Sequence, residues 1–326
     1  MNINKRFQDC PQLLQDFLYY MLTIRGRSAK TVDAYHTDLR TFLRYIKSVK
    51  TNVPPDLDFH QIDISDIDIV LIRQITLSDV YGFLNYTMAE RENNSKTRSR
   101  KVSCIRSFFK YLTAKTGLLE ENPVKDLETP SLKKSMPKYL TLEESVALMS
   151  NVNTAYSQRD YCIIAFFLNC GMRLSELVGI NLSDIRDNTV KLLGKGNKER
   201  IIYLNDSCIY ALEQYLEVRK NPVKASEKDA LFLSRRGARL TARRVEQIVE
   251  ECLKQAGLSC KGYSPHKLRH TAATLMYQHG GVDIRVLKEV LGHANLATTE
   301  IYTHVSDKQI EKAAKSSPLS KITINK

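Results

Sequence analysis

The sequence predicts a mainly α-helical protein of two domains with one small β-sheet. Three observations point there. The chain has 326 residues, more than a single typical core supports. Apolar residues recur at three- and four-residue spacing through most of both halves. Between the halves, prolines and lysines cluster (Asn122-Pro123, Thr129-Pro130, Lys133, Lys134, Met136-Pro137), as in an extended linker. The expected organisation is a helical N-terminal domain over 1–119, a linker over 120–139 and a C-terminal domain over 140–326.

In the N-terminal domain a first helix is expected through Leu14, Phe17, Leu18, Met21 and Leu22. Behind a Ser28 cap, Val32, Tyr35, Leu39, Phe42 and Ile46 mark a second. A third follows Thr76 (Leu77, Val80, Leu84, Met88). A fourth follows Ser95 (Val102, Ile105, Phe109, Leu112) and ends near Gly117. The fourth also carries Lys96, Arg98, Arg100, Lys101, Arg106 and Lys110, either a solvated basic face or a phosphate-binding one. Between the second and third helices, residues 53–68 hold Pro54, Pro55, Asp56, Asp58, Asp63, Asp66 and Asp68. So acidic a stretch does not lie along a polyanion, and a surface flap or a protomer-contact element is expected there.

The C-terminal domain opens on Thr141-Leu142-Glu143-Glu144, a capping-box pattern. Helices are expected around 158–170, 174–179 and 207–220. A hairpin lies between the last two, with strands Thr189–Leu193 and Arg200–Leu204 about a Gly194-Lys195-Gly196-Asn197 turn. Further helices follow around 241–256, 265–279, 283–291 and 297–304.

A net charge of +13, spread along the chain, implies a polyanionic partner: nucleic acid first, an anionic membrane second. The longest apolar run, Cys162–Leu168, is far short of the ~20 residues of a membrane span. The N-terminus, with Lys5, Arg6 and Asp9, lacks the apolar core of a signal peptide. The seven cysteines are an odd number with no C-x-x-C pair, as expected of reduced thiols in the cytoplasm.

The chemistry concentrates in one order of residues. Gly171-Met172-Arg173-Leu174-Ser175-Glu176 comes first, then Ser264-Pro265-His266-Lys267-Leu268-Arg269-His270, Leu291-Gly292-His293 and Thr298-Thr299-Glu300-Ile301-Tyr302. Together these are the groups needed to break a phosphodiester with a tyrosine and no metal. With Ser264 as cap and Pro265 at the first helical position, His266 and Arg269 share the first turn of a helix, whose N-terminus favours an anion. His266 and His270, four apart, also have metal-ligand spacing. A zincin helix needs Glu where this chain has Lys267, so no metal is expected and His270 is read as a buried structural histidine. Gly171 ends one helix and leaves Arg173 in the turn before the next, where Glu176 can hold its guanidinium. Lys195 and its rival Lys198 sit in a basic turn, where two glycines permit close approach to a groove. Among sixteen tyrosines, Tyr302 stands out for its Thr298-Thr299 lead-in and its place after His293.

These motifs make the chain similar to the tyrosine recombinases of the phage-integrase class, and most closely to the bacterial Xer recombinases. The resemblance covers nearly the whole chain: a SAM-like core-binding domain, a linker and a catalytic domain that together clamp DNA. Gly194-Lys195-Gly196-Asn197-Lys198-Glu199-Arg200 and Tyr302-Thr303-His304-Val305-Ser306-Asp307 are also Xer-like, whereas the acidic stretch 53–68 departs from the pattern. The resemblance implies Arg173, Lys195, His266, Arg269, His293 and Tyr302 as the catalytic set, with Tyr302 the nucleophile and Glu176 in support. Arg173, Arg269 and His293 would hold the phosphate. His266 would serve as base or hydrogen-bond partner, and Lys195 as acid. DNA contacts are expected from Arg98, Arg100, Lys101, Arg106, Lys198, Arg243 and Arg244.

The implied reaction is site-specific cutting and rejoining of double-stranded DNA through a 3′-phosphotyrosine and a Holliday junction, without metal, cofactor or ATP. The implied assembly is a tetramer on two DNA sites, of one recombinase or two, with each C-terminal tail on a neighbour and a DNA translocase as possible partner. The biological role would be chromosome dimer resolution, with mobile-element integration as the alternative. A non-catalytic DNA-binding regulator and a type IB topoisomerase-like enzyme are the remaining readings.

Overall fold

The computed structural model describes residues 7–54, 56–130, 138–194, 199–292 and 299. The chain divides into two compact units, 1–134 and 135–326. Both are helical, and the second holds a three-stranded sheet.

The first unit comprises α1 (Gln12–Thr23), α2 (Ala29–Lys50), α3 (Ile69–Arg73), α4 (Leu77–Ala89) and α5 (Ser95–Ala114). The apolar stripes meet in an aromatic core where Phe17, Phe42, Phe83, Phe108 and Phe109 are fully buried. Edge-on pairs such as Phe17–Phe108 (5.4 Å) and Phe42–Phe83 (5.1 Å) match the ring quadrupoles. Ser28 caps α2 and Thr76 caps α4, the latter in a reciprocal box with Asp79. Asn94, rather than Ser95, caps α5.

The stretch expected as a surface flap or protomer-contact element, 53–68, sets isoleucines into the first unit. Ile62, Ile64 and Ile67 are buried, while the acids between them face water beside α2. Lys47 Nζ donates to the Asp63 carbonyl (2.8 Å) and to Asp66 (2.6 Å), Arg44 Nε donates to the Ile62 carbonyl (3.1 Å), and Asp68 caps α3. Isoleucine interleaved with aspartate gives this stretch two faces, and counting acids alone misses the apolar one. The stretch expected to be linker is also partly core. Val124 and Leu127 are fully buried in the first unit, and Asn122 Oδ1 accepts from the Val124 amide at 3.0 Å.

The second unit is built around α7 (Ser157–Cys170), whose residues 162–168 are all buried, as befits a helix apolar on every side. Around it lie α6 (Leu142–Ser150), α8 (Leu174–Gly179), α9 (Asp206–Val218), α10 (Ala242–Gln255), α11 (Pro265–Gln278) and α12 (Ile284–Leu291). The Thr141–Glu144 capping box forms, with both reciprocal bonds. The sheet is antiparallel, β1 (Ile185–Arg186), β2 (Thr189–Leu193) and β3 (Glu199–Tyr203) in that order, with Val190 opposite Ile202 and Leu193 opposite Glu199. Its inner face packs Val190, Leu192 and Ile202 into the core. The helix expected over 297–304 lies outside the described residues apart from Thr299, which is buried. All seven cysteines are free and six are buried. Among the described residues, no helix is long and apolar enough to cross a membrane.

Candidate active site

The site begins where α7 stops. Gly171 takes the left-handed conformation (φ 58°), and a Cβ there would lie 3.0 Å from Leu291 Cδ2. Glycine therefore serves twice, reversing the chain and letting α12 close against it. The reversal makes Arg173 the residue before α8. Glu176 Oε2 accepts from the Arg173 backbone amide at 2.7 Å, and Oε1 accepts from its guanidinium at 2.6 Å.

Three arginines from three elements converge on Glu176 and on the end of α12. Arg173 Nη2 donates to the Gly292 carbonyl at 2.8 Å. Arg269, on α11, donates to the carbonyls of Leu291 (2.5 Å) and Gly171 (2.6 Å). Arg200, on β3, donates to the Val290 carbonyl at 3.2 Å and to both oxygens of Glu176. Three successive carbonyls at a helix C-terminus, the negative end of its dipole, are thus each met by a guanidinium. Glu176 is 3% exposed, and burial alone would raise its pKa. Hydrogen bonds from the Arg200 side chain and the Arg173 amide, the charge of Arg200 and the hydrogen bond from the Arg173 guanidinium outweigh that and hold it at about 2.

His266 is exposed on the first turn of α11, one turn before Arg269, which is 3% exposed. Its Nε2 lies 2.9 Å from His270 Nε2. His270 is half-buried, and burial, with His266 and Arg269 close by, lowers its pKa to about 4, so it is neutral at pH 7. Pro265 occupies the first position of α11 as expected. Ser264 differs, since its side chain makes no capping bond. Lys195, Lys198, His293 and Tyr302 lie outside the described residues. Their flanks are inside: Leu193 pairs with Glu199, and Gly292 closes α12 at φ 60°.

Arg200 is the site residue that the motif order does not single out. A signal for it exists in the strand period. With Ile202 facing inward, Arg200 two residues earlier shares that face, and an arginine on a buried face requires an acid.

The residues expected to meet DNA divide. On α10, Arg243 and Arg244 are exposed and bonded only to near neighbours, Glu246 and Gln247 at 3.3 Å each. On α5, Arg106 is exposed and 3.4 Å from Thr129 Oγ1, while Arg98 turns back to the Asn93 carbonyl at 2.6 Å. Arg100 pairs with Asp38 but keeps a side chain 45% exposed. A phosphate contact from Lys101 is corrected. It is 6% exposed, bonded to buried Asp38 at 2.8 Å and 5.9 Å from the Phe83 ring centroid. Position 101 falls on the Ile105–Phe108–Leu112 stripe, so the helix turns it inward.

The family model described as "Phage integrase family" matches residues 138–309, and that of the phage integrase N-terminal SAM-like domain matches 56–116. The chain belongs to the phage integrase family. It is a tyrosine recombinase, and its similarity to the Xer group is high. The chain is 49% identical to tyrosine recombinase XerC of Caldanaerobacter subterraneus subsp. tengcongensis, over 95% of this chain and 88% of that one. It is 32% identical to tyrosine recombinase XerD of Listeria innocua, over 93% of this chain and 97% of the relative. Among solved structures, XerH site-specific recombinase bound to palindromic difH substrate, in its post-cleavage complex, superposes with a TM-score of 0.68. That match is 25% identical and covers 93% of this chain and 84% of that one. The SAM-like match begins inside the acidic stretch, in keeping with its isoleucines forming part of the core.

Proposed function

We propose that this Xer-type recombinase cuts and rejoins double-stranded DNA at a specific site with Tyr302 as nucleophile. The observation that carries the reading is the convergence of Arg173 and Arg269 on the end of α12, one residue before His293. A scissile phosphate set against this cluster would meet two fixed positive charges. Arg173 gives Glu176 and Gly292 one side-chain N–H each and has others for the non-bridging oxygens. Arg269 reaches them where its carbonyl contacts are shared with, or exchanged for, phosphate.

In this mechanism Tyr302 attacks phosphorus and forms a 3′-phosphotyrosine, while the 5′-oxygen leaves with a proton from Lys195. Guanidiniums beside a phenol of ordinary pKa near ~10 lower the cost of ionising it. Arg173, Arg269 and His293 stabilise the charge gathering on the non-bridging oxygens, each such donor commonly being worth ~10²–10³ in rate. His266, paired with His270, handles the nucleophile's proton or donates to phosphate. A second strand's 5′-hydroxyl then attacks the phosphotyrosine and restores the diester. Bond energy is conserved throughout, so no ATP is needed. Repeated on both strands, the exchange passes through a Holliday junction.

The similarity to relatives named tyrosine recombinase XerC and XerD supports an Xer-type reaction, and the role proposed for it is chromosome dimer resolution, in the cytoplasm on DNA. The assembly proposed is a tetramer on two sites, of this chain alone or with a second recombinase. Residues 1–119 and 140–326 are proposed to clamp the duplex, and the tail after Tyr302 to dock on a neighbour. Arg106, Arg243 and Arg244 are the proposed backbone contacts.

A nicked suicide duplex, built on the sequence the protein selects from a random pool, tests the nucleophile. Wild-type protein should accumulate a covalent adduct, and Tyr302→Phe should bind equally well and form none. An adduct with Tyr302→Phe would assign the attack to another residue.

A further inference from the structure

The hairpin that carries Lys195 is anchored by apolar side chains only part of the way to its turn. Val190, Leu192 and Ile202 are the inward apolar positions. The next inward position on β3, opposite Leu192 and nearer the turn, is Arg200, with a side chain 12% exposed. Its Nη1 and Nη2 fork onto Glu176 at 2.5 and 2.9 Å, and its Nε donates to the Val290 carbonyl at 3.2 Å. Every nitrogen of the guanidinium is committed to protein. Gly292 leaves room for it, since a Cβ there would lie 3.0 Å from Arg200 Cδ. A bidentate fork fixes direction as well as distance, which a lysine ammonium does not.

We propose that Arg200 is a positioning residue that braces the β2–β3 stem against α8 and the end of α12, and so sets where Lys195 stands when it protonates the leaving oxygen. The inference rests on Lys195 being the acid. Arg173 and Arg269 keep their own bonds to the neighbouring carbonyls of α12, while Arg200 ties both Glu176 and the hairpin, so a lysine that keeps a charge on Glu176 disturbs chiefly the hairpin. A merely structural arginine would affect folding or DNA affinity. A brace for the acid affects the step that needs a proton.

The test uses the full chain and the selected suicide duplex in two forms, with oxygen or with sulfur at the 5′-bridging position. Sulfur leaves with little need of protonation. Arg200→Lys keeps a charge on Glu176 but cannot fork and reach Val290 together. It should bind the duplex as wild type does and cleave the oxygen form ~10²-fold more slowly, the scale of a misplaced general acid. On the sulfur form it should come within about threefold of wild type, since no acid is then required. Equal slowing on both forms, or no slowing, overturns the proposal. If Arg200→Lys does not fold, Arg200→Gln is read by the same two rates. Lys195→Ala, run in parallel, separates the two assignments. If sulfur relieves Lys195→Ala but not Arg200→Lys, the brace alone falls; if it fails to relieve Lys195→Ala, the acid assignment falls and takes the brace with it.

Discussion

Glu176 shows how one side chain can hold a site together without touching substrate. It is buried, yet its two oxygens receive the Arg173 amide, the Arg173 guanidinium and the Arg200 fork. A folded-state pKa of about 2 against an ordinary 4.5 means that its contribution is complete above pH 4.5 and is lost as pH falls toward 2. The shift corresponds to on the order of 3 kcal/mol. His270 acts in a higher window. Its pKa is lowered from 6.5 to about 4, so stability falls as pH drops through that range and the unfolded state takes the proton first. Chemical denaturation between pH 7 and pH 3 should therefore show two successive losses. In Glu176→Gln the loss below pH 4.5 should shrink, while the one between 6.5 and 4 stays. A Glu176→Gln profile that still matches wild type below pH 4.5 would show that the cluster does not depend on this carboxylate. The Arg173–Glu176 spacing was open to reading in the sequence because both lie on one helical turn. Arg200 left only the strand-period signal, because the motif containing it draws attention to its lysines, and its acid lies 24 positions earlier in the chain.

At the scale of elements, the helices were legible wherever an apolar stripe and a cap coincided, as at Thr76, Thr141 and the Gly171 reversal. What escaped were segments whose character depends on a neighbour. The two residues of β1 carry no period of their own and exist only through pairing with β2. The 53–68 stretch looked acidic and exposed until α2 supplied Lys47 and Arg44 for its acids and carbonyls. Lys101 looked like part of a basic face until Asp38 of α2 paired with it. The reversal at Gly171 carries the clearest test. An alanine there must hold φ near 58° and press its methyl 3.0 Å from Leu291 Cδ2, which pushes on the helix whose last carbonyls the arginines hold. The left-handed strain alone costs ~1 kcal/mol or more, and the contact adds to it. Gly171→Ala should lower the melting temperature by several degrees and slow adduct formation with little change in DNA affinity. Unchanged cleavage would uncouple the reversal from the site.

For the whole molecule, the net charge of +13 is the long-range feature, and the structure sorts which cations are available to use it. Binding that neutralises phosphates releases counterions, so the slope of log affinity against log salt counts the contacts, at ~0.9 per phosphate on duplex DNA. Arg243 and Arg244, exposed on the first turn of α10, should each contribute to that count. Lys101 should contribute nothing, because its ammonium is committed to Asp38 beneath the α5 surface. The double substitution Arg243→Gln, Arg244→Gln should weaken binding to any duplex and flatten the salt slope by nearly two contacts' worth, ~1.8. Lys101→Met should leave the slope as it is and lower stability by ~3 kcal/mol or more, since it strips one partner from a buried carboxylate. The two variants remove cations from the same basic sequence, and net charge alone would rank the double substitution simply as twice the single one. Titrations across a range of salt, paired with thermal melts, separate the accounts: a flattened slope in Lys101→Met, or an unchanged one in the double variant, would mean that burial does not decide which cations meet DNA.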